Sequence, residues 1–144
     1  MSSLVINFKK THKDAKTPSY AYPMDAGLDV YALSITEETA NYTEYDTGVA
    51  LELPEGYVAL AFPRSSISKY SQSLANSVGV IDAGFRESVK FRFRKYAEGN
   101  NVCYKQGDKI GQLIIIPFPK VNLIEVAALN DTIRGGKGTG SSGR

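Results

Sequence analysis

The sequence predicts an all-β fold, a jelly roll or β-barrel-like sandwich that ends in a flexible glycine-rich arm. Three observations carry this. Roughly ten short strand-like segments are separated by frequent turn residues. Only residues 65–75 have any helical character. No long-period repeat and no interdomain linker divides the 144 residues, a length that suits one domain.

The elements follow in order. Residues 4–8 alternate apolar and polar side chains and read as an opening strand. Residues 9–23 are polar and contain Pro18 and Pro23, so they form a loop. A strand is expected over 28–33, and a short strand with turns over 34–46, which is rich in Thr, Glu and Tyr. Strands over 47–53 and 57–62 flank Pro54-Glu55-Gly56, which reads as a hairpin turn. Residues 65–75 are Ser-rich, with Ser65 or Ser66 available as a helix cap. Residues 78–81 and 88–94 read as strands joined by a tight turn for which Gly79 and Gly84 supply backbone freedom. In the second of these, Lys90, Phe91, Arg92, Phe93 and Arg94 alternate strictly, giving one aromatic and one cationic face.

A strand over 101–104 contains Cys103. The apolar run 110–116, closed by Pro117 and Pro119, is long enough for a strand buried on both faces. A last strand is expected over 121–126. Residues 1–133 then form the β domain. Residues 134–144 hold five glycines with Arg, Lys, Thr and Ser and can build no core, so they form a flexible arm.

Composition narrows the function classes. Hydrophobic residues make up 42% and charged residues 22%, the balance of a globular chain. A net charge of +2 is too small to argue for a nucleic-acid or membrane surface. No apolar run reaches membrane-spanning length, and no secretory leader is seen, so an intracellular, soluble, cytoplasmic protein is expected. The single cysteine, Cys103, excludes an intrachain disulfide, and with one histidine, His12, it excludes a zinc site of Cys and His. His12 sits in a Lys-rich segment and reads as solvated, so Cys103 has no evident catalytic partner.

Five polar segments interrupt the strands. In residues 25–31, Asp29 begins a strand and could hold a water on a divalent cation, or serve as a plain turn acid. Arg64, Ser65 and Ser66 combine a guanidinium, hydroxyls and free amides, which suits phosphate or a simple cap. In residues 76–86, Asn76 offers a donor and an acceptor to a flat polar ligand, and Asp82 ends an apolar run with an aimed carboxylate. Gln112 is polar within an apolar strand and needs a partner, from protein or ligand. The arm brings Arg134, Lys137 and small hydroxyls on a backbone able to wrap phosphate, without the Walker spacing. Jointly, these segments suit a metal-bound polyphosphate.

Their set and order resemble the homotrimeric deoxyuridine triphosphate nucleotidohydrolases, or dUTPases. AGLDVYA, PRSS, NSVGVIDAGFR, GDKIGQLI and RGGKGTGSSGR resemble that family's five motifs, in order, over nearly the whole chain. The resemblance implies a homotrimer whose sites are shared at subunit junctions. It implies magnesium-assisted hydrolysis of dUTP to dUMP and pyrophosphate by water attack on the α-phosphorus, which keeps uracil out of DNA and supplies dUMP for thymidylate synthesis. Asp82 resembles the acid that orients and deprotonates the water. Asp29 resembles the acid that holds Mg2+ through water. Arg64, Ser65, Ser66, Gln112, Arg134, Gly138 and Ser141 resemble phosphate contacts. Asn76, with the backbone of Gly79, Val80 and Ile81, resembles the uracil reader, and Phe85 the ring under the deoxyribose.

The sequence departs from the family's pattern at three places. Phe85 replaces the usual Tyr, Glu87-Ser88 replaces Gly-Glu, and Thr139 replaces the aromatic of the lid. Phe91 and Phe93 are the candidates for a replacement stacking ring. Two other readings are a dCTP deaminase of the same fold, for which Glu87 is the one nearby acid, and a non-catalytic nucleotide-binding trimer.

Overall fold

The computed structural model describes residues 2–96 and 104–143. Among the described residues there are nine strands: β1 (Asn7–Lys10), β2 (Leu28–Tyr31), β3 (Ser34–Glu38), β4 (Tyr42–Glu52), β5 (Tyr57–Phe62), β6 (Gln72–Leu74), β7 (Gly79–Ile81), β8 (Ser88–Lys95) and β9 (Lys109–Pro117). They form two antiparallel sheets, one in the order β1-β4-β8-β6 with β3 also on β4, the other in the order β2-β9-β5-β7. A single core joins them, a jelly-roll-like sandwich. Val30 of β2, Tyr45 and Val49 of β4, Ala59 of β5, Phe91 and Phe93 of β8, and Ile110 and Leu113 of β9 are all buried there. The Tyr45 hydroxyl donates to the Tyr104 carbonyl at 2.7 Å, which satisfies the one polar atom its ring brings inside.

Strand β8 follows its alternation. Val89, Phe91 and Phe93 point inward, and Lys90, Arg92 and Arg94 point outward. Elsewhere the structure departs from expectation for identifiable reasons. The first strand begins at Asn7, because only Asn7–Lys10 finds register against β4; Leu4 and Val5 stay exposed. Residues 34–46 hold β3 and the start of β4, which runs on through Glu52 as one eleven-residue strand. Residues 65–75 form a short 3-10 helix, Ser65–Lys69, and then β6. Its cap position is Arg64, without a side-chain cap bond, and not a serine. Strand β9 is buried only at its beginning; Ile116 is exposed.

Neither expected hairpin forms. β4 and β5, joined through the Pro54–Tyr57 turn, lie in different sheets. β4 has no free edge for β5: β8 takes one side, and β3 and β1 share the other end to end. β7 and β8 also lie in different sheets, because β8 is already flanked by β4 and β6. Residues 121–126 are in no strand, and Val121, Leu123, Ile124 and Val126 are exposed. Their apolar content suits a strand, but after Pro117 the chain joins neither sheet among the described residues. Of the strand expected over 101–104, residues 101–103, with Cys103, lie outside the described residues, and Tyr104 is buried but not in a strand. Among the described residues no helix is long and apolar enough to cross a membrane.

Candidate active site

The crossing from one sheet to the other at residues 75–88 makes the first cleft. Leaving β6, the Ala75 amide donates to the Arg92 carbonyl at 2.8 Å and the Ser77 amide to the Leu74 carbonyl at 3.0 Å. Ser77 takes the left-handed conformation, φ 63°, so the turn's strained position falls on this serine and not on Gly79 or Gly84. Gly79 matters for close approach: a Cβ there would stand 3.0 Å from that of Ala61, its partner on β5. Beyond Ile81, the Phe85 amide donates to the Asp82 carbonyl at 3.1 Å, and the Arg86 guanidinium clamps the turn by donating to the carbonyls of Ala83 and Phe85.

The resulting cleft, of about 410 Å³, is lined by Asn76, Gly79, Val80, Ile81, Asp82 and Phe85 together with Glu87 and Lys90. Asp82 is exposed to it and, among the described residues, in no ion pair. A free carboxylate at a cleft wall can take a proton from a water held there.

A second cleft, of about 320 Å³, lies at the other edge of the same sheet and is lined by Gly27, Asp29, Arg64, Ser65 and Gln112, with Asp25 at its rim. Strand register builds it. Asp29 on β2 faces Gln112 on β9, and Gln112 faces Phe62 on β5, from which the chain continues to Arg64 and Ser65. Gln112 finds its partner in the protein, its side-chain amide donating to the Pro63 carbonyl at 3.1 Å. Asp29 is nearly buried and carries two cations, Lys109 Nζ at 3.1 Å and Arg64 Nε at 3.7 Å. Lys109 received no role from the sequence. Its place beside Asp29 follows from the β2–β9 register, which no local pattern announces. Ser66 is not among the lining residues; its hydroxyl pairs with that of Tyr104 at 3.1 Å. Burial, partly offset by the bond to Ser66, pushes the Tyr104 phenol up.

The two clefts are separate walls. β2 and β7 are the two edges of a sheet ordered β2-β9-β5-β7, so at the usual strand spacing they lie about 14 Å apart. The described residues of the arm line neither cleft. Arg134 donates to the carbonyls of Lys137 at 3.3 Å and Gly138 at 3.1 Å, and Gly138, Thr139 and Ser141 are exposed. Phe91 and Phe93 also fail as stacking rings. They are 1% and 0% exposed and pack against each other inside the core, as the inward face of β8 requires. Among the described residues no three His, Cys, Asp or Glu side chains gather as a metal site.

This arrangement agrees with three comparisons. A family model for dUTPases matches residues 13–143. The deoxyuridine 5'-triphosphate nucleotidohydrolase of Rhodococcus erythropolis is 37% identical over 97% of this chain and 87% of its own. That of Clostridium tetani is 35% identical over the full length of both chains. Among solved structures, the Staphylococcus bacteriophage 80alpha dUTPase with dUpNHpp superposes with a TM-score of 0.80 at 27% identity, covering 99% of this chain and 100% of that one. A matching fold, a family model over residues 13–143 and relatives over the whole length leave one conclusion: the chain belongs to the dUTPase family.

Proposed function

We propose that the protein hydrolyses dUTP to dUMP and pyrophosphate, at sites completed between three copies of the chain. The observation that carries this is the division of the site. One chain holds a phosphate wall (Asp29, Arg64, Ser65, Gln112) and a base-and-sugar wall (Asn76, Gly79–Ile81, Asp82, Phe85) at opposite edges of one sheet, and the described residues of its arm line neither. Packing one copy's phosphate wall against the next copy's base wall completes a site, and three such contacts close a ring.

Within that site Asn76 and the backbone of residues 79–82 read the uracil edge. A pocket closed by main chain rejects cytosine because its exchanged donors and acceptors would be left unpaired. Phe85 lies against the sugar. Asp82 accepts a proton from water as the water oxygen bonds to the α-phosphorus; the bond to the bridging oxygen breaks, and pyrophosphate leaves with that electron pair. Arg64, Ser65 and Gln112 hold phosphate oxygens, and Arg134, Gly138 and Ser141 of the arm (residues 134–144) close over them, with Ser66 supporting the wall through Tyr104.

Asp29 would hold, through water, a Mg2+ that arrives on the triphosphate, as the phosphate oxygens draw its two present partners, Lys109 and Arg64, to themselves. When bound, such an ion neutralises charge on the phosphate oxygens.

The test is to incubate the purified protein with dUTP and with dCTP, with and without Mg2+, and to identify products. Pyrophosphate from dUTP is expected. Ammonia from dCTP would turn the reading to a deaminase using Glu87, which does line the base cleft, and binding without turnover would reject an enzyme. Light scattering tests the trimer on the same sample.

Gly27→Ala probes the phosphate wall. Its Cβ would collide with the side-chain oxygen of Gln112, the far end of a flexible side chain, and stand 3.1 Å from the Gln112 Cβ, a contact that a small shift relieves. Gln112 swings away and its hydrogen bonds go with it. The kcat/KM for dUTP should fall by about fivefold or more, the worth of one such bond, while the melting temperature stays near that of the parent.

A further inference from the structure

We infer that Lys109 is a further substrate-binding residue, a phosphate ligand that Asp29 occupies until a polyphosphate displaces it; the inference rests on the proposed reading of the phosphate wall. In a regular strand Lys109 and Gln112, three residues apart, would face opposite ways. The β2–β9 ladder is not regular there. Val30 faces Gly111 and Tyr31 faces Lys109, so Ile110 is an extra residue on β9. Ile110 and Gly111 are buried in succession. Asp29 faces Gln112 directly, and Lys109 reaches the same carboxylate, so the bulge brings Lys109 and Gln112 to one side of the sheet. Bulges beside sites commonly re-aim a side chain in this way.

Each carboxylate oxygen of Asp29 carries one cation: Oδ2 lies 3.1 Å from Lys109 Nζ, and Oδ1 lies 3.7 Å from Arg64 Nε. The Asp29 side chain is 13% exposed, against 35% for each cation. The acid is therefore fixed at the sheet while its partners keep a path to solvent. No other acid among the described residues pairs with Lys109. Asp108, its neighbour in sequence, is engaged elsewhere, its carboxylate accepting from the Lys105 amide at 2.7 Å. A polyphosphate brings several charged oxygens to this wall, more than one carboxylate offers. Lys109, a compact charge on a flexible stem, can turn from Asp29 to phosphate without any movement of the backbone. That exchange frees Asp29 for a metal held through water; before it, the Lys109 charge opposes a metal there. One residue thus has two opposite effects, strengthening the binding of polyphosphate and weakening that of a divalent cation to the nucleotide-free protein.

Lys109→Gln in the full chain separates the two. Titrated calorimetrically without divalent metal, dUpNHpp should bind the variant about tenfold more weakly, the worth of one charge-assisted hydrogen bond. dUMP, which lacks the β- and γ-phosphates, should bind nearly as it does to the parent. Mn2+ titrated without nucleotide and followed by electron paramagnetic resonance should bind the variant about fivefold more tightly, the worth of one partly screened ion pair. Lys109→Arg should return both quantities toward those of the parent. A loss and a gain from one substitution cannot come from general damage to β9. Unchanged dUpNHpp affinity in Lys109→Gln, equal losses for dUpNHpp and dUMP, or Mn2+ binding no tighter than the parent's would overturn the inference. Hydrolysis of dUTP by the parent is scored separately. Its absence would reject the proposed activity, and the Mn2+ titration, which uses no nucleotide, would still decide whether Lys109 masks Asp29.

Discussion

Asp82→Asn is expected to lower single-turnover hydrolysis of dUTP by about 10²–10⁴-fold, the usual contribution of a positioned general base. Binding of dUpNHpp should stay largely unchanged. The substitution is nearly isosteric, and the carboxylate is exposed and in no ion pair among the described residues, so nothing in the fold depends on its charge. The peptide carbonyl that fixes the turn by accepting from the Phe85 amide is untouched. What disappears is the one property the reaction uses, a charged oxygen able to take a proton. Rapid-quench turnover and calorimetric binding on the same preparation separate the two effects. Turnover at the parent rate would remove Asp82 from the chemistry, and joint loss of binding and turnover would make it a structural residue of the base wall.

Much of both walls was legible in the sequence because its chemistry is local: a glycine beside an acid, an arginine beside serines, an acid ending an apolar run; Lys109, brought to Asp29 by strand register, was not. The alternation of β8 was legible for the same reason, since facing depends only on position along one strand. What the sequence did not reveal depends on which sheet a strand joins. Pro54-Glu55-Gly56 has the turn residues of a hairpin, and Gly56 does adopt a positive φ of 86°. The same turn serves a crossing between sheets when β1, β3 and β8 have taken every edge of β4. The residue 82–88 connection is misread in the same way, and there the consequence is functional, because the crossing is what opens the base cleft. Residues 121–126 show the reverse case, a strand-like composition that joins neither sheet among the described residues. Phe91 and Phe93 were eligible as stacking rings by type alone. Only the packing of β8 against β9 shows that they are spent on the core.

That packing sets the second large effect. Gly111→Ala should destabilise the fold by about 3 kcal/mol, at the upper end of the cost of overpacking a core, and lower the melting temperature by roughly 6–12 °C for a chain of this size. Gly111 sits on β9 between the core and the phosphate wall, one residue before Gln112. The Phe91 ring rests directly on its Cα, so an added Cβ would overlap two ring carbons and stand 2.9 Å from the Phe62 carbonyl oxygen. The ring is 1% exposed and stacked on Phe93, so it cannot turn aside, and the carbonyl belongs to the β5–β9 ladder.

Adding Phe91→Leu should recover part of the loss, because it shortens the ring side of the clash, but not all of it, because the backbone contact remains; the two substitutions should therefore be non-additive. Melting curves at equal protein concentration, which an oligomer requires, provide the measurement, and a Gly111→Ala protein that melts with the parent would refute the contact. The contrast with Gly27→Ala is the sharper test of the geometry. The same added methyl meets a flexible amide at one glycine and a locked ring plus backbone at the other. It should cost activity without stability in the first case and stability first in the second.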